Sequence, residues 1–155
     1  MTKRTINGDY KYGTQRERLV VDYLNSKHKN DKYELYKEKN SVMDFHNHIY
    51  ECELKSRTCA HDTYPTTMLG LNKVQNMKPD KKYRFYFLFK DGLYRWKYNK
   101  DDFVTRNGGR CDRGKYEIKK YIYINVKNLK LLTTRITSET NKTFQELESE
   151  SEVEE

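Results

Sequence analysis

The chain has 155 residues, enough for about one domain, and 35% of them are charged against 35% hydrophobic. No apolar run approaches the roughly 18 residues that cross a bilayer, and the N-terminal MTKRTINGDYKYG lacks the apolar stretch of a secretory signal. Three cysteines (Cys52, Cys59, Cys111) suit a reducing compartment better than a disulfide scaffold. The expectation is an intracellular protein, in cytoplasm or nucleus, with no membrane partner.

The net charge is +8, from 31 basic and 23 acidic residues. From Glu139 onward the chain holds seven glutamates and one lysine, which leaves residues 1–138 with 30 basic against 16 acidic residues, or +14. A body this positive suits a polyanion, nucleic acid first. A composition rich in Lys, Asn and Tyr, with the single alanine Ala60, is also what an AT-rich genome writes, as in a large DNA virus or an AT-rich microbe.

Residues 1–13 read as a flexible basic lead-in. Thr14 then precedes QRERLVVDYLNSKH, where Val20, Val21 and Leu24 recur with the spacing of one helical face and Thr14 stands as N-cap. Glu17 lies three and four residues before Val20 and Val21, so an acid stands on, or at the edge of, the inward face. Tyr33, Leu35 and the residues after them read as a short strand, Ser41–Phe45 as a second, His46–His48 as a hairpin turn and Ile49–Lys55 as a third strand. Alternation sends Tyr50, Cys52 and Leu54 one way and Glu51, Glu53 and Lys55 the other. After a polar loop over 56–66, Thr66 or Thr67 caps an expected helix through Met77, ahead of Pro79.

YRFYFLF (83–89) is the most apolar strand, and Asp91-Gly92 turns it into LYRWKY (93–98). A helical turn at 101–103, a Gly- and Arg-rich loop over 106–115, a strand over 120–126 and an acidic, disordered tail from 137 complete the order. The expected division is a lead-in (1–13), one domain (14–136) and a tail (137–155). The expected class is α/β, with one mixed central sheet flanked by helices.

The chemistry converges on Asp44, Glu53 and Lys55, with Glu17 as a fourth member. Phosphodiester hydrolysis needs a nucleophilic water and a way to spread charge on the phosphoryl group, and a divalent cation supplies both. Mg²⁺ (or Mn²⁺) takes oxygen ligands, commonly one or two carboxylates plus water and phosphate. Asp44 and Glu53 on neighbouring strands supply carboxylates, and the Leu54 carbonyl offers a further oxygen. Glu17 can complete the metal shell directly or through water. Lys55 projects to the side of Glu53, where its ammonium can hold the attacking water or a phosphate oxyanion.

The helix GTQRERLVVDYL, the hairpin Asp44-x8-Glu53-x-Lys55 and the elements after it resemble the PD-(D/E)xK nuclease superfamily, over roughly residues 12–103. Within it, Gly13, Glu17 and Val20 match a G-x-x-x-E-x-x-V pattern similar to that of archaeal-type Holliday junction resolvases. The resemblance implies a restriction-endonuclease-like core and a metal-dependent DNA endonuclease, with Asp44 and Glu53 on the metal, Lys55 in catalysis and Glu17 as the helix acid. A resolvase would also be a homodimer, because a junction presents two symmetric cuts. Met43 stands where the superfamily's name has Pro. The short gap is a second departure: a tight hairpin centred on 46–47 pairs Asp44 with Ile49 and leaves Glu53 about 13 Å further along. The carboxylates then meet only if the strands twist, bend or bulge.

Arg106, Arg110, Arg113 and Lys115 cluster with glycines and are the expected nucleic-acid contacts outside the site. Lys73 either reaches the scissile phosphate or lies on the surface. His46-Asn47-His48 reads as a turn, and Cys59-Ala60-His61 lacks a second pair at zinc spacing. The alternative to a nuclease is a non-catalytic nucleic-acid-binding or structural module on the same fold.

Overall fold

The computed structural model describes residues 6–27, 29–38, 41–112 and 115–139, with the backbone alone at 6–12, 109–112 and 115–117. The chain opens with helix α1 (Ile6–Lys27). Three strands follow: β1 (Glu34–Leu35), β2 (Phe45–His46) and β3 (Tyr50–Ser56). Next come β4 (Thr66–Gly70), the short helix α2 (Leu71–Gln75) and the hairpin of β5 (Lys82–Phe89) and β6 (Gly92–Trp96). A 3-10 turn at Lys100–Asp102 leads into β7 (Phe103–Asp112) and β8 (Lys115–Asn125), and a second at Val126–Asn128 leads into β9 (Lys130–Thr133).

The fold is mixed α/β. Six strands form one sheet in the order β1-β2-β3-β5-β6-β9. Only β3 and β5 run parallel in it; their neighbours pair antiparallel. Parallel neighbours need a crossover, and β4 with α2 is that connection. β4 leaves the main sheet to pair with β8, which pairs with β7, so a second, three-stranded sheet forms in the order β4-β8-β7.

Each face of the main sheet buries its own core. On one, Leu19, Val20, Val21 and Leu24 of α1 pack against Cys52, Leu54, Tyr86 and Leu88. On the other, Phe85, Phe87, Phe89 and Trp96 pack against Leu69, Ile122 and Ile124 of the smaller sheet. The molecule is therefore three layers: helix, sheet, sheet. Cover on both faces explains why β5 reads as a near-continuous apolar run.

Four expectations are corrected. The helix begins at Ile6, not at a Thr14 cap, because a helix anchored by its packed later turns extends at little cost per residue. The helix expected from Thr66 through Met77 is strand β4 in its first part, and only Leu71–Gln75 is helical. Thr67 and Leu69 are buried while Met68 is 38% exposed, a period of two rather than 3.6. The Gly- and Arg-rich segment is a β-ribbon, with Gly108 in register with Lys119, so the strands make two sheets rather than one. Finally, packing continues past 136: Ile136 is fully buried and the Ser138 N–H donates to the Phe89 carbonyl at 3.0 Å. Residues 140–155, and with them nearly all of the expected tail, lie outside the described residues.

Among the described residues, no helix is long and apolar enough to cross a membrane.

Candidate active site

The β2–β3 hairpin turns at His48-Ile49, two residues later than the sequence suggests. Asn47 sets its turn: its N–H donates to the Tyr50 carbonyl at 3.0 Å. Its Oδ1 accepts the N–H groups of Ile49 (2.9 Å) and Tyr50 (2.7 Å). The register that results pairs Phe45 with Cys52 and His46 with Glu51. Asp44 lies just outside the paired residues, one step before Phe45, and so comes near Glu53 rather than Ile49. The Asp44 N–H donates to the Cys52 carbonyl at 2.9 Å, and its Oδ2 accepts the Leu54 N–H at 2.8 Å. Asp44 thus bonds the carbonyl of the residue paired with Phe45, a bulge-like irregularity at the end of the ladder, and the two acids come close enough for the charge of Asp44 to act on Glu53.

Glu53 is 2% exposed. Its Oε1 lies 3.3 Å from the Lys55 ammonium and its Oε2 lies 3.4 Å from that of Lys73. Lys73 gives its hydrogen bond to the Val42 carbonyl instead, at 2.5 Å, and Glu53 Oε2 accepts none. Burial pushes the Glu53 carboxyl up to about 7, and the charge of Asp44 adds to this; Lys55 and Lys73 pull it back. Glu17 goes further, to about 8. Burial is the largest cause, followed by the charge of Asp44, a hydrogen bond with Asp44 and the charge of Glu53. α1 therefore does bring an acid to the hairpin, as the inward position of Glu17 suggests.

Buried carboxyls that resist ionisation, one with an oxygen lacking any hydrogen bond, suit a divalent cation. Asp44 and Glu53, with the Leu54 carbonyl, could offer the oxygen donors that Mg²⁺ takes. The three acids do not all meet at one point. Among the described residues, only His61, Asp62 and Asp91 place three such ligand atoms within 4.8 Å of one another. Glu17 would then reach an ion through water, which Mg²⁺ retains readily.

The His61 group is a brace. The His61 N–H donates to Asp91 Oδ1 at 2.9 Å, and its Nδ1 lies 2.5 Å from Asp91 Oδ2, so both oxygens are taken. The ring stacks on Tyr94 at 4.7 Å. It ties the loop after β3 to the β5–β6 turn; its partner lies 30 residues away, and nothing in the sequence pairs them. The His46-Asn47-His48 triplet is dispersed as well. His46 stacks on Tyr36 at 4.2 Å, and His48 Nε2 lies 2.8 Å from Asp31.

Lys73 belongs to the site and not to the open surface, because α2 caps the end of the crossover beside β3. Arg106 is elsewhere: it is exposed on β7 with its guanidinium 5.6 Å from the centre of the Tyr123 ring. The side chains of Arg110 and Lys115, and all of Arg113, lie outside the described residues.

Comparison of the chain with protein-family models, with curated proteins and with solved structures found no match.

Proposed function

We propose that the protein is a metal-dependent DNA endonuclease with a restriction-endonuclease-like core, related in pattern to structure-selective nucleases. The observation that carries this reading is the approach of Asp44, just beyond the β2–β3 ladder, to buried Glu53, with two ammonium groups beside that carboxylate. A bound Mg²⁺ or Mn²⁺ supplies the activated water and withdraws charge from the phosphoryl group. Asp44, Glu53 and the Leu54 carbonyl would hold it. Lys55 is partly exposed beside Glu53 and positions the attacking water or neutralises a phosphate oxygen. Lys73 adds a second positive charge on the far oxygen of Glu53. Glu17 is largely protonated near neutral pH in the metal-free site and shares that proton with Asp44.

The separation of Glu17 from a common three-acid cluster favours one other reading, a nucleic-acid-binding module without catalysis. A cleavage panel decides between them: duplex, single-stranded, mismatched and four-way-junction DNA, with Mg²⁺, Mn²⁺ or EDTA, at two salt concentrations. The nuclease reading expects metal-dependent cutting that Glu53→Gln and Lys55→Ala abolish while DNA is still bound. Cutting unchanged in both variants refutes the site, and binding with no cutting on any substrate establishes the silent module. A homodimer, as junction cleavage would require, is read from the mass of the active species by light scattering.

A further inference from the structure

The outward face of the three-stranded sheet takes no part in that site, and its composition is unusual for a wet face. Met68 is in register with Tyr123 and Gly70 with Tyr121. Across the other ladder, Val104 faces Tyr123, Arg106 faces Tyr121 and Gly108 faces Lys119. Residues in register share a face, and every second residue returns to it. Ile122 and Ile124 fill the opposite, core-facing side and are fully buried. Tyr121 and Tyr123 therefore stand side by side on the outer face of the central strand, flanked by Met68, Val104 and Arg106. The Tyr121 ring lies across the backbone of β7, where a Cβ on Gly108 would come within 2.6 Å of it.

Two grooves run along this face. One, of about 760 Å³, is lined by Lys55, Lys73, Lys119, Lys120 and Tyr121 among others. The second, of about 430 Å³, is lined by Tyr64 and Tyr123 among others. Arg57 and Met68 line both, so the grooves adjoin at these two residues. No Asp or Glu is among the described lining residues of either. The path thus runs from the ammonium groups beside Glu53, past Tyr121, to Tyr123 and Arg106.

We propose that this path binds single-stranded DNA, with bases stacked on Tyr121 and Tyr123 and phosphates held by the lysines and Arg57. Aromatic rings on an open sheet with a basic border accept the faces of unpaired bases, whatever their sequence. A duplex keeps its base faces inside its own stack and offers this surface only phosphates. Where the strand leads, toward Glu53 and Lys55, rests on the nuclease reading; the binding itself does not.

The test is fluorescence anisotropy of labelled oligo-dT, of a blunt duplex and of oligo-U with the full chain, without metal. The wild-type chain is expected to bind oligo-dT most tightly. Tyr121→Ala with Tyr123→Ala should weaken that binding by about tenfold or more, with little change for the duplex. Tyr121→Phe with Tyr123→Phe keeps the rings and should keep the affinity, which separates lost stacking from lost folding. Glu53→Gln should not weaken oligo-dT binding even where it stops cleavage, so failure of the nuclease reading and failure of the track are distinguishable. Duplex bound as tightly as oligo-dT by the wild-type chain, oligo-U bound more tightly, or the same loss in the Phe pair as in the Ala pair overturns the proposal.

Discussion

Asp44 reaches across to the strand that carries Glu53, where its carboxylate accepts the Leu54 N–H at 2.8 Å. That bond orients Asp44 toward the strand carrying Glu53, so its geometry and its charge can be separated. Asp44→Asn retains an acceptor for Leu54 and removes the charge. The variant should keep the wild-type fold by circular dichroism, lose the thermal upshift given by Mn²⁺, and lose cleavage. An Asn variant that still cuts at the wild-type rate would remove Asp44 from the site.

Lys55 and Lys73 flank the two oxygens of Glu53, but only Lys55 shares its strand. Lys55→Ala should lower cleavage by about 10²–10³-fold, the usual loss when one charge-stabilising donor is removed. Lys73 also bonds the Val42 carbonyl, so Lys73→Ala should reduce both cleavage and the melting temperature. Single-turnover rates and melting curves on the two variants read the difference.

The raised carboxyls make metal-free stability depend on pH. Glu17 and Glu53 move up from 4.5 to about 8 and about 7. Between those limits the folded chain holds protons that the unfolded chain has released, so stability falls as pH rises from about 4.5 to about 8. Melting temperatures in EDTA should decline over that range. Glu17→Gln should flatten the decline, and Mg²⁺ should offset it most at the alkaline end, where both groups ionise.

His61 should matter for stability and not for chemistry. His61→Ala removes the ring interaction with Asp91 and the stack on Tyr94 and should cost about 1–2 kcal/mol. Urea denaturation measures that cost, and the cleavage rate at a temperature where the variant stays folded should be unchanged. Loss of Zn²⁺ or Mn²⁺ binding in this variant would instead make the brace a metal site.

Gly92 tests the junction of β6 with β9. A Cβ there would lie 2.7 Å from the Thr133 carbonyl oxygen, backbone that cannot step aside cheaply. Gly92→Ala should destabilise the chain by about 1–3 kcal/mol, read as a lower urea midpoint with an unchanged slope.

Local pattern carried much of this structure. The apolar stripe of α1, the apolar run of β5 and the Asp-Gly turn into β6 are legible in the sequence, whereas the alternation of β3 is not matched by its burial: Cys52, Glu53 and Leu54 are all buried. The same logic marked Glu17, Glu53 and Lys55 as charges on elements that pack. Three things needed the folded chain. The position of the β2–β3 turn depends on the Asn47 side chain, and moving that turn by two residues shifts the partner of each β2 residue by four. β4 is a strand because β8 pairs with it, although Met68, Leu71, Val74 and Met77 also satisfy a helical period. Lys73, and the His61–Asp91 brace, meet their partners across 20 and 30 residues of sequence. Composition and periodicity determine which side chains turn inward; only the tertiary structure decides which of them meet, because ladder register and the crossover depend on partners distant in the chain.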